Sequence, residues 1–228
     1  MADDGQTSNP SHAVEPVTTS VTEELVEIRG YSAHSNRTWR LSKRSLRNET
    51  VFFQDIGERV KYDPIDGSAY IGDIDPDIFE AFAQFLSGKH YEPPFRSHIS
   101  LASRKSPSLL QLYHTLAWLL GDKLGAVAFQ NHAIVRLAFS LNPKDASALV
   151  SPRAVLRALE SMGNTLKLRQ LFVDATAYAL QKHGLKWRED ARWAKVLEKF
   201  PDFIQDVIVR FDEGEVTNPS LHVAKYFL

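Results

Sequence analysis

Residues 74–94, IDPDIFEAFAQFLSGKHYEPP, constrain the fold more than any other stretch of the chain. Asp75 stands where a carboxylate accepts a hydrogen bond from the free N–H groups at a helix start, and Pro76 suits the first helical position. Asp77 and Glu80 then place negative charge near the positive end of the helix dipole. Phe79, Phe82, Ala83, Phe85 and Leu86 recur at helical spacing, and Ser87-Gly88 supplies the stop. The spacing predicts a short amphipathic helix with sharp ends and an aromatic-plus-proline exit. Phenylalanines in that pattern read as core rather than as recognition anchors.

The segments before the helix point to a small sheet. Glu24 to Gly30 alternates apolar and polar residues, as a half-buried strand does, and the alternation resumes at Thr38-Trp39-Arg40-Leu41. A hairpin across Tyr31 to Arg37 joins the two. Leu46, Val51, Phe52, Phe53 and Ile56 supply further core, Asp63-Pro64-Ile65-Asp66-Gly67 reads as a turn, and Ala69-Tyr70-Ile71-Gly72 as a short strand. With 43% hydrophobic and 11% aromatic residues among 228, one large domain, or a small domain with an extension, can bury a real core.

Beyond Pro94 the reading is helical. A helix starts at Ser106-Pro107 with Leu109, Leu112, Tyr113, Leu116, Leu119 and Leu120 on one side, and Gly121-Asp122 is expected to break it. A second is expected from about Gly125 to Leu141, ended by Asn142-Pro143. Ser151-Pro152 opens another with Val155, Leu156 and Leu159, followed by helices through residues 166–178, 193–200 and 201–208. Residues 1–22, rich in Ser, Thr, Pro and Asp, are expected to form a disordered tail. The division is therefore a tail (1–22), an α+β domain (23–141) and an all-α C-terminal extension (142–228).

Two helical signatures, in this order and at this separation, resemble the BTB/POZ family. The first is carried by Asp75, Phe79, Phe82, Phe85, Leu86, Gly88 and Tyr91, and the second by Leu109, Leu112, Tyr113, Leu116, Ala117 and Leu120. Trp39, Leu41 and Lys43, then Leu46 and Phe52-Phe53, match the upstream positions, so the resemblance covers roughly residues 24–140. The helical region after residue 140 resembles the extension of many fungal BTB-only proteins. The resemblance implies a BTB/POZ fold, a small β-sheet capped by a helical cluster, in the order strand, strand, helix pair, strand, helix and two further helices. It also implies a protein–protein interaction module, acting as an adaptor or self-association domain through a homodimer. The interface residues so implied are Leu25, Val26, Ile28 and Leu46. Trp118, which falls on a different side of its helix from Tyr113, is a surface or interface candidate. Cullin-binding members carry an apolar-x-Glu motif that Ile56-Gly57-Glu58 matches in composition, several residues early. A cullin scaffold, and with it a role as ubiquitin ligase adaptor, is thus a candidate partner. Ser42 and Glu49-Thr50 replace the family's usual histidine and Arg-Ser, which removes the basis for corepressor-peptide binding.

The remaining motifs narrow the chemistry. Arg37, Arg40, Lys43, Arg44 and Arg47 form a basic run that reads either as a solvated face or as a nucleic-acid contact in a transcriptional regulator. A formal net charge of −1 gives no global pull toward nucleic acid or anionic lipid. Capping and the helix dipole account for Asp75 and Asp77. The eight histidines lie scattered, without zinc spacing, and the chain has no cysteine. No cofactor and no enzymatic activity are expected, nor a membrane segment. With no signal-peptide pattern at the start, the chain is expected to be intracellular, in nucleus or cytoplasm.

Overall fold

A computed structural model of the chain describes residues 24–32, 35–54, 61–62, 68–70, 74–93, 106–141, 150–161, 166–184, 187 and 189–228. The architecture is mixed α+β, with one small sheet and a majority of helix. The predicted alternation becomes an antiparallel hairpin, β1 (Leu25–Ser32) and β2 (Ser35–Ser42), whose strands run further toward the turn than the sequence suggests. Two short strands complete the sheet: β3 (Lys61–Tyr62) and β4 (Ala69–Tyr70). Their order is β2-β1-β4-β3, with β4 laid parallel to β1 and β3 antiparallel to β4.

Register decides what each hairpin residue faces, because successive strand side chains point to opposite sides. Ile28 pairs with Trp39 and Val26 with Leu41 on the inner side. There the Trp39 ring crosses Gly30, where a Cβ would lie 3.0 Å from the indole. The same ring packs edge-on against Phe79 at 4.7 Å, and its Nε1 donates to Glu80 at 2.8 Å. Arg37 adds ion pairs to Asp77 (2.8 Å) and Glu80 (3.2 Å). The hairpin is thereby fastened to the helix that the sequence marks most clearly.

That helix, α2 (Pro76–Leu86), has the expected ends. The Asp75 carboxylate accepts from the Asp77 N–H at 2.8 Å, Pro76 occupies the first turn, and Gly88 sits at φ 68° just past the end. Phe79 and Phe82 are fully buried. The preceding short helix α1 (Lys43–Glu49) is capped by the Ser42 hydroxyl and ends on Thr50, whose hydroxyl donates to the Leu46 carbonyl and accepts from the Phe53 N–H. The expected turn at 63–67, the strand residues 71–72 and the tail 1–22 lie outside the described residues.

One expected helix break is corrected. Helix α3 (Pro107–Leu124) runs straight through Gly121-Asp122 and stops at Gly125, which adopts the left-handed conformation at φ 63°. Gly121 is a packing residue: a Cβ there would meet the Gln130 Cγ at 2.6 Å, so glycine lets α4 (Val127–Ser140) cross closely. Gly125 lies as close to Val51, 2.9 Å from a built Cβ to its Cβ.

After residue 150 come α5 (Pro152–Glu160), α6 (Leu166–His183), a 3₁₀ turn at Ala191–Trp193, α7 (Ala194–Lys199) and α8 (Pro201–Asp212). A further 3₁₀ segment, Pro219–Tyr226, is interrupted by a non-helical residue at His222 and lies beyond the last helix that the sequence predicts. The core passes through the 141 boundary without interruption. The buried Gln111 side chain of α3 marks the join: it donates to the Ser140 carbonyl at 3.1 Å and accepts from the Ser151 N–H at 2.6 Å.

Candidate interaction surface

The outer side of the hairpin carries Leu25, Glu27, Arg29 and Tyr31 on β1 and Asn36, Thr38, Arg40 and Ser42 on β2. Leu25 is 57% exposed and Tyr31 48%. Between them, Glu27 pairs with Arg29 at 2.8 Å and with Arg40 at 3.6 Å. Two apolar side chains thus flank a short charge ladder. Beside them, β2 is an edge strand of the described sheet and pairs only with β1 among the described strands.

The register separates residues that the family resemblance groups together. Leu25 faces outward and Val26 is half-buried against the core, so both have area to offer a partner. Ile28 and Leu46 do not: both are fully enclosed, and a side chain with no exposed surface adds no contact area. Trp118 is corrected in the same way. It is fully buried on α3, with its indole Nε1 enclosed and without a hydrogen-bond partner among the described atoms. The helix is central, with α2, α4 and α5 packed around it, so both its Tyr113 and Trp118 sides are covered. Tyr113 donates its hydroxyl to the Asp77 carbonyl at 3.3 Å.

The basic run is largely neutralised. Arg37 is paired with Asp77 and Glu80, Arg40 with Glu27, and Lys43 with Glu24 at 2.5 Å. Arg44 and Arg47 are exposed without an ion pair among the described residues. Two free cations on a seven-residue helix are a weak electrostatic footprint for a nucleic acid, which rewards many simultaneous phosphate contacts. Ile56-Gly57-Glu58 lies outside the described residues.

The fold gathers two polar clusters that sequence spacing conceals. Tyr91 is buried with its hydroxyl 3.1 Å from the His114 Nδ1. Phe129, His132 and Tyr113 ring it, and the Arg136 guanidinium lies 5.5 Å over its face. Burial, the Arg136 charge and His132 together depress the His114 pKa to about 3. His132 is lowered too, by burial first and then by Arg136 and His90. Burial pushes the Tyr91 hydroxyl above its ordinary range. The second cluster surrounds Asp174, a buried carboxylate in the middle of α6. Tyr226 donates to it at 2.6 Å, Lys225 lies at 2.8 Å and Arg210 at 3.0 Å. Burial alone would raise this carboxyl, but hydrogen bonds from Lys225, Tyr226 and Arg210 outweigh it and the pKa falls. Tyr91, His114 and the Asp174 carboxylate are buried, whereas Arg210 and Lys225 reach Asp174 from the surface.

Among the described residues no group of acidic or histidine side chains is placed to hold a metal ion, and no helix is long and apolar enough to cross a membrane. Comparison with known proteins finds no match among protein-family models, characterised proteins or solved structures.

Proposed function

We propose that the chain is a protein–protein interaction module of the BTB/POZ type, with an all-α extension, and that it self-associates through the β1–β2 hairpin. The order of the described elements supports the family reading in outline: hairpin, helix, two short strands, then α2, α3 and α4, with one described helix where the family has a pair and two strands where it has one. The two signature helices also lie against each other, joined by the Tyr113 to Asp77 hydrogen bond. The observation that carries the self-association reading is the outer hairpin face, where Leu25 and Tyr31 stand exposed beside the edge of β2 that no other described strand covers. The mechanism is mass action through apolar and main-chain contacts, with the partner copy presenting the same surface.

Light scattering coupled to size exclusion, over a range of micromolar concentrations, tests this. A molecular mass that rises toward twice the protomer with concentration, and that Leu25→Asp returns to one protomer, is the expected result. A strict monomer throughout would refute the self-association. A pulldown against a cullin scaffold separates the ubiquitin-ligase adaptor role from adaptor function in general. A negative pulldown removes only the former.

A further inference from the structure

Away from the hairpin, a cavity opens where α3 and α5 both begin, beside the 191–199 segment. It measures about 570 Å³ and is lined by Leu109, Pro152 and Leu156 together with Arg153, Arg192 and Lys195. No carboxylate is among its described lining residues. Arg192 is already engaged, since Asp190 holds its guanidinium through contacts of 2.6 to 3.0 Å. Arg153 and Lys195 are exposed, and neither has an ion pair among the described residues. The α3 and α5 helix starts, the former without a side-chain cap bond, add positive potential to the same space. A cavity of this size falls within the range of peptide-side-chain and ligand pockets, roughly 300–1,000 Å³.

Two unpaired cations over an apolar floor define their complement, an anionic group beside an aliphatic one. We propose that this cavity docks a short acidic peptide of a partner protein. An Asp or Glu carboxylate engages Arg153 and Lys195, and a neighbouring aliphatic side chain packs on Leu109 and Leu156. The proposal rests on the reading of the chain as an interaction module and shares no residue with the hairpin surface.

The test uses the full chain and a fluorescein-labelled peptide with Leu flanked by Asp and Glu, followed by fluorescence anisotropy. A control peptide carries Asn and Gln at the acidic positions. The acidic peptide is expected to bind, the control to bind far more weakly, and added salt to weaken the acidic peptide. The pair Arg153→Glu and Lys195→Glu is expected to weaken binding about tenfold or more. If circular dichroism shows that pair to be unfolded, Arg153→Gln with Lys195→Gln removes the charges more gently and is expected to act in the same direction. Equal binding of the two peptides, binding unchanged in the folded charge variants, or no binding at millimolar peptide overturns the proposal. Leu25→Asp leaves peptide binding intact, so loss of self-association and loss of peptide binding report on different surfaces.

Discussion

The enclosed His114 gives a quantitative handle on the fold. Its imidazole is held neutral, with a pKa lowered from 6.5 to about 3, by burial and by the nearby Arg136 and His132. In the unfolded chain it returns to the ordinary value. Between these limits the unfolded state binds more protons, so acid favours unfolding. The stabilising contribution is complete above pH 6.5 and is withdrawn as the pH falls toward 3. Each pH unit below the unfolded value removes about 1.4 kcal/mol, so at about pH 5 His114 alone withdraws about 2 kcal/mol. That figure does not depend on the exact native value, provided it lies well below 5.

The perturbation is His114→Gln, which keeps a hydrogen-bonding partner for the Tyr91 hydroxyl but cannot take a proton. Urea unfolding of both proteins at about pH 7.5 and about pH 5 gives four stabilities, and the quantity of interest is the difference between the two pH losses. The native protein should lose about 2 kcal/mol more than the variant on acidification, whatever the variant's stability at neutral pH. Every ionisable group other than that at position 114 is common to both proteins, so the difference isolates His114. Equal losses, within about 0.5 kcal/mol, would show that His114 is not held neutral by its surroundings.

Three further outcomes follow from single sites. Gly121→Ala places a Cβ 2.6 Å from Gln130 Cγ and 3.2 Å from its backbone nitrogen, and the resulting strain at the α3–α4 crossing should cost about 1–3 kcal/mol, read as a lower melting temperature. Asp174→Asn removes the charge that Arg210, Lys225 and Tyr226 share; it should destabilise by about 3 kcal/mol or more and raise hydrogen exchange across residues 219–228, whereas an unchanged exchange pattern would refute the tie between Asp174 and that segment. Gly88→Ala meets no neighbouring atom within 4 Å, so its cost of about 1 kcal/mol should come from backbone conformation alone at φ 68°.

What the sequence reveals depends on how local the determining physics is. Asp75, Pro76 and Gly88 act within one helical turn of their own positions, and the structure uses each of them as the sequence predicts. Gly121 and Gly125 are four residues apart and equally plausible as breakers. Neighbours approach both closely, Gln130 the first and Val51 the second, and it is the left-handed backbone at Gly125, φ 63°, that makes the second the stop. The Tyr91–His114 contact spans 23 positions and no spacing rule announces it. Asp174 carries a signal in its sequence context: a single carboxylate between Phe172-Val173 and Ala175 on a buried helix demands cationic partners. Those partners, Arg210 and Lys225, then account for the position of the 3₁₀ segment beyond the last predicted helix.

The hairpin shows the limit of reading an interface from residue type. Leu25 and Ile28 belong to one strand and one composition class, yet strand alternation sends the first into solvent and the second into the core. The apolar area left for self-association is that of Leu25, Tyr31 and part of Val26. Burying the first two yields at most about 1.5–3 kcal/mol each. In a two-fold seam both copies bring them, an upper bound of about 6–12 kcal/mol that their existing half-burial roughly halves, against an estimated 4–15 kcal/mol of freedom lost on association, so these side chains alone leave little surplus. The proposed seam therefore draws as well on the edge of β2 that pairs with no other described strand, whose N–H and C=O groups could form a main-chain ladder with a second copy. A seam built mainly on backbone pairing should be weak and concentration-dependent. A proline at Thr38 would discriminate this account from one based on side chains. Thr38 lies mid-strand on β2 with an exposed side chain, and the substitution should abolish dimers if its N–H serves the partner edge. Dimers that survive a folded Thr38→Pro variant, but not Leu25→Asp, would place the seam on the hairpin's outer face instead of its edge.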